Sequence, residues 1–293
     1  MAISTPGGRG ASISRRLEAM LRSNWKRLSV ALVIGAVLVL IFAPVARSVY
    51  ASDGAPKKCP PEMAFTAGIC MDRYEARLLE RGDDGSLAPF PPFARPKQGV
   101  FVAESRAGVR PQAYISQVEA ASACQNAGKR LCGASEWYRA CRGEHDTVYP
   151  YGAKYVRGRC NVGKPHLLSI LHGSDPNAWS YDKAFNDPEL DRRPGFLAET
   201  GEYSGCVTSA GVFDLVGNLH EWVADRVDNS IAQKLQIKAG IRARLGRNRG
   251  KGIFMGGFFS TTNEHGDGCD FVTMAHEPRY HDYSTGFRCC KDP

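Results

Sequence analysis

Ten cysteines, none of them before residue 59, constrain this chain more than any other feature of its 293 residues. They stand at Cys59, Cys70, Cys124, Cys132, Cys141, Cys160, Cys206, Cys269, Cys289 and Cys290. An even number of cysteines confined to one part of a chain reads as a disulfide framework, built where thiols are oxidised. Zinc binding is the competing use. No CxxC pair occurs, and the adjacent Cys289 and Cys290 offer poor geometry for two thiolates on one zinc. Bridging is the reading carried forward.

The segment that precedes them says how they reach such a compartment. Residues 28–46 read LSVALVIGAVLVLIFAPVA, with no charged side chain. At about 1.5 Å per helical residue this nearly spans a hydrocarbon core of about 30 Å. Arg9, Arg15, Arg16, Arg22, Lys26 and Arg27 lie on its N-terminal side, so the positive-inside rule keeps that end cytoplasmic. The organisation expected is a basic cytoplasmic leader at 1–27, a transmembrane helix or signal anchor at 28–46, a linker at 47–58 and an extracytoplasmic domain at 59–293. Val49-Tyr50-Ala51 resembles a small-residue cleavage site, so export after cleavage near Ala51 is the alternative. The long leader and long apolar run favour an uncleaved anchor.

Net charge is +8, but the leader and Arg47 hold most of it, and only +2 falls on residues beyond Ala51. A nucleic-acid-binding domain concentrates positive charge on its folded part, and this chain does not. Within the domain, residues 231–252 hold seven basic residues (Lys234, Lys238, Arg242, Arg244, Arg247, Arg249, Lys251) and no acid. Such a run is a solvated loop or a contact for a polyanion such as a lipid headgroup.

Local signals give two helices. Ser116-Gln117-Val118-Glu119 fits a capping box, Val118, Ala121 and the 122–124 region mark an apolar face, and Gly128 ends the helix. A second helix is expected over Ala134 to Cys141. From Ala88 to Arg110, proline and apolar residues point to extended chain, and glycine and aromatic punctuation dominates toward the C-terminus. The fold class is α+β with much loop.

Several segments, in order from Cys59 to Cys290, resemble the formylglycine-generating enzyme (sulfatase-modifying factor) family. They are CPPEMAFTAGICMDRYEA, AASACQNAGKRLCGASEWYRACRG, YPYG, CNVG, GVFDLVGNLHEWVAD, MGGFF and STGFRCC. The resemblance implies a loop-rich, C-type-lectin-like domain with few short strands, stapled by disulfides. It makes Arg130, Trp137, Trp222, Phe287 and Arg288 framework residues. It also implies a structural calcium held by the side chains of Asp214 and Glu221 and the carbonyls of Gly217 and Leu219, since hard cations take oxygen ligands. Without metal, the two acids would cap a turn. Position by position, the resemblance implies bridges Cys124–Cys289 and Cys141–Cys269. Cys59 and Cys70 close a local loop, and for the other four the expectation is Cys160–Cys206 and Cys132–Cys290.

The family's oxidases use two cysteines that bind copper(I), a soft ion suited to thiolates. In this chain the matching positions fall near Thr261 and between Glu264 and Gly266, where no cysteine stands. Copper is therefore not expected. A weaker option is non-haem iron on His276, His281 and Glu264, two imidazoles and a carboxylate. The reading reached is an anchored, extracytoplasmic, non-classical member that serves as a binding or accessory module for a protein or glycan of the cell envelope. The alternative is an oxidoreductase, formylglycine-generating or iron-dependent, acting on an exported protein or small thiol.

Overall fold

A capping box and a fully buried tryptophan fix the two helices on which the domain is assembled. The computed structural model describes residues 59–235, 242–243, 245–262 and 265–293. The expected leader, anchor and linker, Glu264 and part of the basic run lie outside them. No helix among the described residues is long and apolar enough to cross a membrane.

Helix α1 (Gln117–Asn126) begins where the sequence places it. Ser116 Oγ accepts from the Glu119 amide at 3.3 Å, and Glu119 Oε2 accepts from the Ser116 amide at 2.9 Å. Its far end closes through Gly128, whose φ of +67° only glycine adopts cheaply. The Lys129 amide then bonds back to Cys124 O and the Gly128 amide to Gln125 O. The buried face matches the expected one only at Ala123 and Cys124. Gln117, Ala120, Ala123 and Cys124 turn inward, while Val118 is exposed. Small residues are needed there because Cys124 is bridged to Cys289 and the helix lies close to a strand.

Helix α2 (Ala134–Arg142) starts at Gly133, where Asp225 Oδ2 accepts from the Ala134 amide at 2.7 Å. Trp137 and Cys141 face the core. Three shorter helices follow, α3 (Leu167–His172), α4 (Glu189–Arg192) and α5 (Ile231–Lys234).

The strands are short and form three sheets. One contains β1 (Met63–Thr66), β2 (Ile69–Asp72), β6 (Arg130–Leu131) and β11 (Cys289–Lys291) in the order β1-β2-β11-β6. A second is made by β3 (Ala76–Arg81) between β4 (Leu87–Pro89) and β5 (Val100–Ser105). The third runs β10-β7-β8-β9, from β7 (His220–Arg226), β8 (Gly252–Met255), β9 (Val272–Thr273) and β10 (Thr285–Phe287). Within it β10 pairs parallel to β7, and the other neighbours are antiparallel.

All ten cysteines are bridged: Cys59–Cys70, Cys124–Cys289, Cys132–Cys290, Cys141–Cys269 and Cys160–Cys206. No thiol is left free. Successive residues of a strand point to opposite faces, so Cys289 and Cys290 tie β11 in two directions. Cys289 joins the core around Trp222 and Phe287, and Cys290 the core around Trp137 and Val223. A third cluster gathers Tyr114, Leu168, Phe259 and Tyr283.

Arg288, immediately before these two cysteines, is fully buried. Its Nε and Nη2 donate to Glu221 Oε2 and Oε1 at 2.7 and 2.6 Å, and Nη2 also to Phe213 O at 2.8 Å. Nη1 donates to Asp72 O at 3.1 Å. Trp137 Nε1 adds a third bond to Glu221, at 2.7 Å. A planar guanidinium in bidentate contact is the geometry in which a buried charge is best compensated.

Candidate functional site

The segment after β8 is crimped by glycines that nothing larger can replace. At Gly256 (φ +81°) a Cβ would sit 2.5 Å from Leu215 O, and at Gly266 (φ +131°) 2.2 Å from Asp270 O. The Cys141–Cys269 bridge then pins the segment to α2. Thr261 and Thr262 are presented between these crimps, and Thr261 Oγ1 accepts from the Phe258 amide at 2.7 Å.

Two cavities meet at Thr261, Thr262 and Phe271. The first lobe, about 310 Å³, is bordered by Tyr149, Tyr155, Val162, Gly163 and Gly266. The second, about 490 Å³, is bordered by His166, His220, Phe254, Phe258, His276 and Tyr280, among others. Volumes of this size suit small ligands. Thr261, His265 and Gly266, at or beside the positions that the resemblance assigns to the catalytic cysteines, thus border an open cleft.

In the second lobe, imidazoles alternate with carbocyclic rings. Tyr280 and His276 have ring centres 4.0 Å apart, His276 and Phe254 5.3 Å, Phe254 and His220 4.6 Å, and His220 and Phe271 5.2 Å. Burial holds these imidazoles neutral. Desolvation, aided by the neighbouring His276 and His265, lowers the His220 pKa well below its ordinary value. His276 is pushed down to about 4, first by burial and then by the charge of Lys251. His166, stacked on Trp179 at 5.1 Å, is lowered by burial as well. The Nδ1 atoms of His220 and His166 are buried without a hydrogen-bond partner.

The iron set is not assembled. His276 borders the second lobe, whereas His281 packs on Tyr181 at 5.7 Å and its Nδ1 lies 2.7 Å from Asn186 Oδ1. Pro278 and the intervening turn send the two rings to different neighbours. Glu264 lies outside the described residues, among which no group of three His, Cys, Asp or Glu is placed to hold a metal ion.

The calcium set does not fit either. Asp214 is buried in a left-handed turn (φ +59°), its Oδ2 accepting from the Gly201 amide at 2.7 Å. Gly217 (φ +83°) is required because a Cβ would strike Asn161 O at 2.1 Å, and the Leu219 amide donates to Glu75 Oε1 at 3.1 Å. Glu221, however, is the second residue of strand β7 rather than a free turn carboxylate. Both its oxygens are taken by Arg288 and Trp137, and a cation beside it would face the guanidinium charge. Burial pushes the Asp214 carboxyl up to about 7, against the pull of the Gly201 amide and Arg288. The same burial, with the charges of Asp214 and Glu221, raises Glu75 well above its usual value.

Sequence reasoning passed over most of the second lobe. His276 was named there as an iron ligand, His220 entered only within GVFDLVGNLHEWVAD, and Phe254, Phe271 and Tyr280 were not singled out. The YPYG motif contained Tyr149 of the first lobe, and MGGFF contained Phe258 of the second.

Residues 88–293 match the family described as the sulfatase-modifying factor enzyme 1-like domain. The preceding strands β2 and β3 pair with β11 and β5 of the matched part. Among solved structures, the chain is similar to the Major Tropism Determinant I1 Variant at 13% identity and a TM-score of 0.42, over 80% of this chain and 53% of that one. It is similar to CarF at 13% identity and a TM-score of 0.41, over 77% of this chain and 86% of that one. The chain spans about half the length of the Major Tropism Determinant variants it matches. No curated protein matches it.

Proposed function

The chain belongs to the family of sulfatase-modifying factor enzyme 1-like domains, and from that premise we propose that it works as a binding or accessory module, not as a formylglycine-generating oxidase. The reading rests on one observation: every cysteine is bridged, yet the cleft at the family's catalytic positions stays open. Copper(I) needs thiolate, and none is left to bind it. The cleft keeps a rigid floor, tyrosine and phenylalanine walls and threonine hydroxyls, which is a recognition surface without a redox centre.

Five disulfides support a place on the oxidising side of a membrane. We place the anchor at residues 28–46, with the domain outside and the cleft turned toward a protein or glycan of the envelope. The basic run at 231–252 adds a possible contact with anionic headgroups, although Lys234 and Lys251 already pair with Asp225 and Glu277. Two measurements test the proposal together. Thiol titration of the denatured, unreduced chain is expected to find no free thiol. Incubation with a cysteine-containing sulfatase peptide, copper and oxygen is expected to yield no aldehyde. Two free thiols together with aldehyde formation would overturn it.

A further inference from the structure

The walls of the second lobe carry little formal charge. Among the described residues, no lysine or arginine borders it. The one carboxylate among the described residues that border it, Asp282, is occupied: Oδ2 accepts from the Tyr280 hydroxyl at 2.6 Å and Oδ1 from Ser284 Oγ at 2.7 Å. An anion finds no counter-charge there, and a cation finds no free carboxylate.

The hydroxyls are also largely committed. Ser260 Oγ donates to Pro165 O at 2.9 Å, and Thr261 Oγ1 accepts from the Phe258 amide. Of the buried side-chain atoms on its lining residues, those without a hydrogen-bond partner are imidazole nitrogens, Nδ1 of His220 and of His166. His220 matters most, because it is buried and no protein group bonds its Nδ1. In most buried histidines one ring nitrogen is tied to a carbonyl or carboxylate, which fixes the tautomer. Nothing ties this one, so the ring edge that meets the cavity either donates or accepts, as its partner requires. Around it two ring pairs are close to parallel, His220 and Phe271 inclined by 22° and Phe254 and His276 by 17°, while His220 is tilted by 35° to Phe254 and 45° to Phe258. Flat walls of this kind favour offset stacking with another ring.

We propose that the second lobe binds an uncharged, planar aromatic group with a hydrogen-bonding edge, of the phenol or indole type, with His220 as its hydrogen-bond partner. The proposal rests on the reading of the cleft as a ligand site and names the ligand class for one of its lobes. Hydrophobic walls supply most of the affinity. The imidazole supplies the preference for phenol over toluene, because toluene leaves the ring edge desolvated without a partner.

The test is ligand-observed NMR and calorimetry on the full chain in detergent, with phenol, indole, toluene, tetramethylammonium and inorganic phosphate as probes. Phenol and indole are expected to bind saturably and to compete with each other, while phosphate and tetramethylammonium do not bind. His220→Phe is expected to weaken phenol about tenfold, the worth of one hydrogen bond, and to leave toluene within about twofold. If that variant does not fold, Thr273→Trp, which fills the lobe from β9, is expected to abolish phenol binding. No saturable phenol binding, tighter binding of tetramethylammonium than of phenol, or loss of phenol and toluene to the same degree in His220→Phe would overturn the proposal. Failure here with no free thiol and no aldehyde removes the ligand class and leaves the module reading standing.

Discussion

The surroundings of Arg288 and of His220 are both buried and polar, yet they are finished to opposite degrees. Around Arg288 every nitrogen of the guanidinium has an acceptor, and both oxygens of Glu221 have donors. Around His220 a ring nitrogen has no partner, and the neighbouring side chains are aromatic. A saturated network has nothing left to offer a ligand and serves to hold β2, β7 and the last strands together. An unsaturated one retains bonding capacity at a cost in stability. The difference separates architecture from recognition within one core.

The largest expected effect breaks the saturated side. Arg288→Met leaves Glu221 charged and unpaired in the interior, and urea denaturation is expected to show a loss of roughly 3–5 kcal/mol. A loss below about 1 kcal/mol would mean that the two regions do not differ in this way. Next comes the pin of the cleft floor. Replacing Cys141 and Cys269 together by serine is expected to cost about 2–4 kcal/mol. It is also expected to raise amide hydrogen exchange over residues 256–271 more than around Arg288.

On the unsaturated side, pH is the probe. His276 titrates at about 4 in the fold against 6.5 for the free ring, so the unfolded chain takes up the proton first. Stability contributed by the neutral ring is complete above pH 6.5 and is lost as pH falls toward 4. His276→Phe is expected to shrink the acid-induced loss by ~1–2 kcal/mol, allowing for the ring's partial exposure. The comparison must be with the wild-type chain, because buried acids such as Glu75 and Asp191 shift the opposite way. An identical pH profile in variant and wild type would argue that the ring is solvated. The smallest effect concerns calcium. With Glu221 committed to Arg288, adding calcium to EDTA-treated protein is expected to leave the melting temperature unchanged, and a rise of several degrees would reopen that site.

Local chemistry was legible and distant chemistry less so. The capping box at Ser116 and the glycine stop at Gly128 sit within a few residues of what they control, and α1 follows them. Its apolar face did so only in part, because Val118 looks like a core residue until the bridge from Cys124 sets which side of α1 turns inward. Glu221 read as a free turn carboxylate because its partner Arg288 lies 67 residues away. The second lobe was unreadable for the same reason. His166, His220, Phe254 and His276 come from separate parts of the chain, and no spacing announces that they meet. Absence was easier to read than assembly: no cysteine near Thr261 is a local fact.

The position of β11 has a consequence for how the domain is made. The last strand sits between β2 and β6, inside its sheet, and its two cysteines bridge to residues near positions 124 and 132. A chain emerging N-terminus first therefore exposes Cys124, Cys132 and Cys141 to oxidant long before their partners at 289, 290 and 269 arrive. Early pairing among those three would be wrong pairing, to be undone by thiol exchange once the final residues are present. A domain tied in this order gains from thiol exchange while it folds, and a chain cut short before Cys289 would leave Cys124 and Cys132 without their partners.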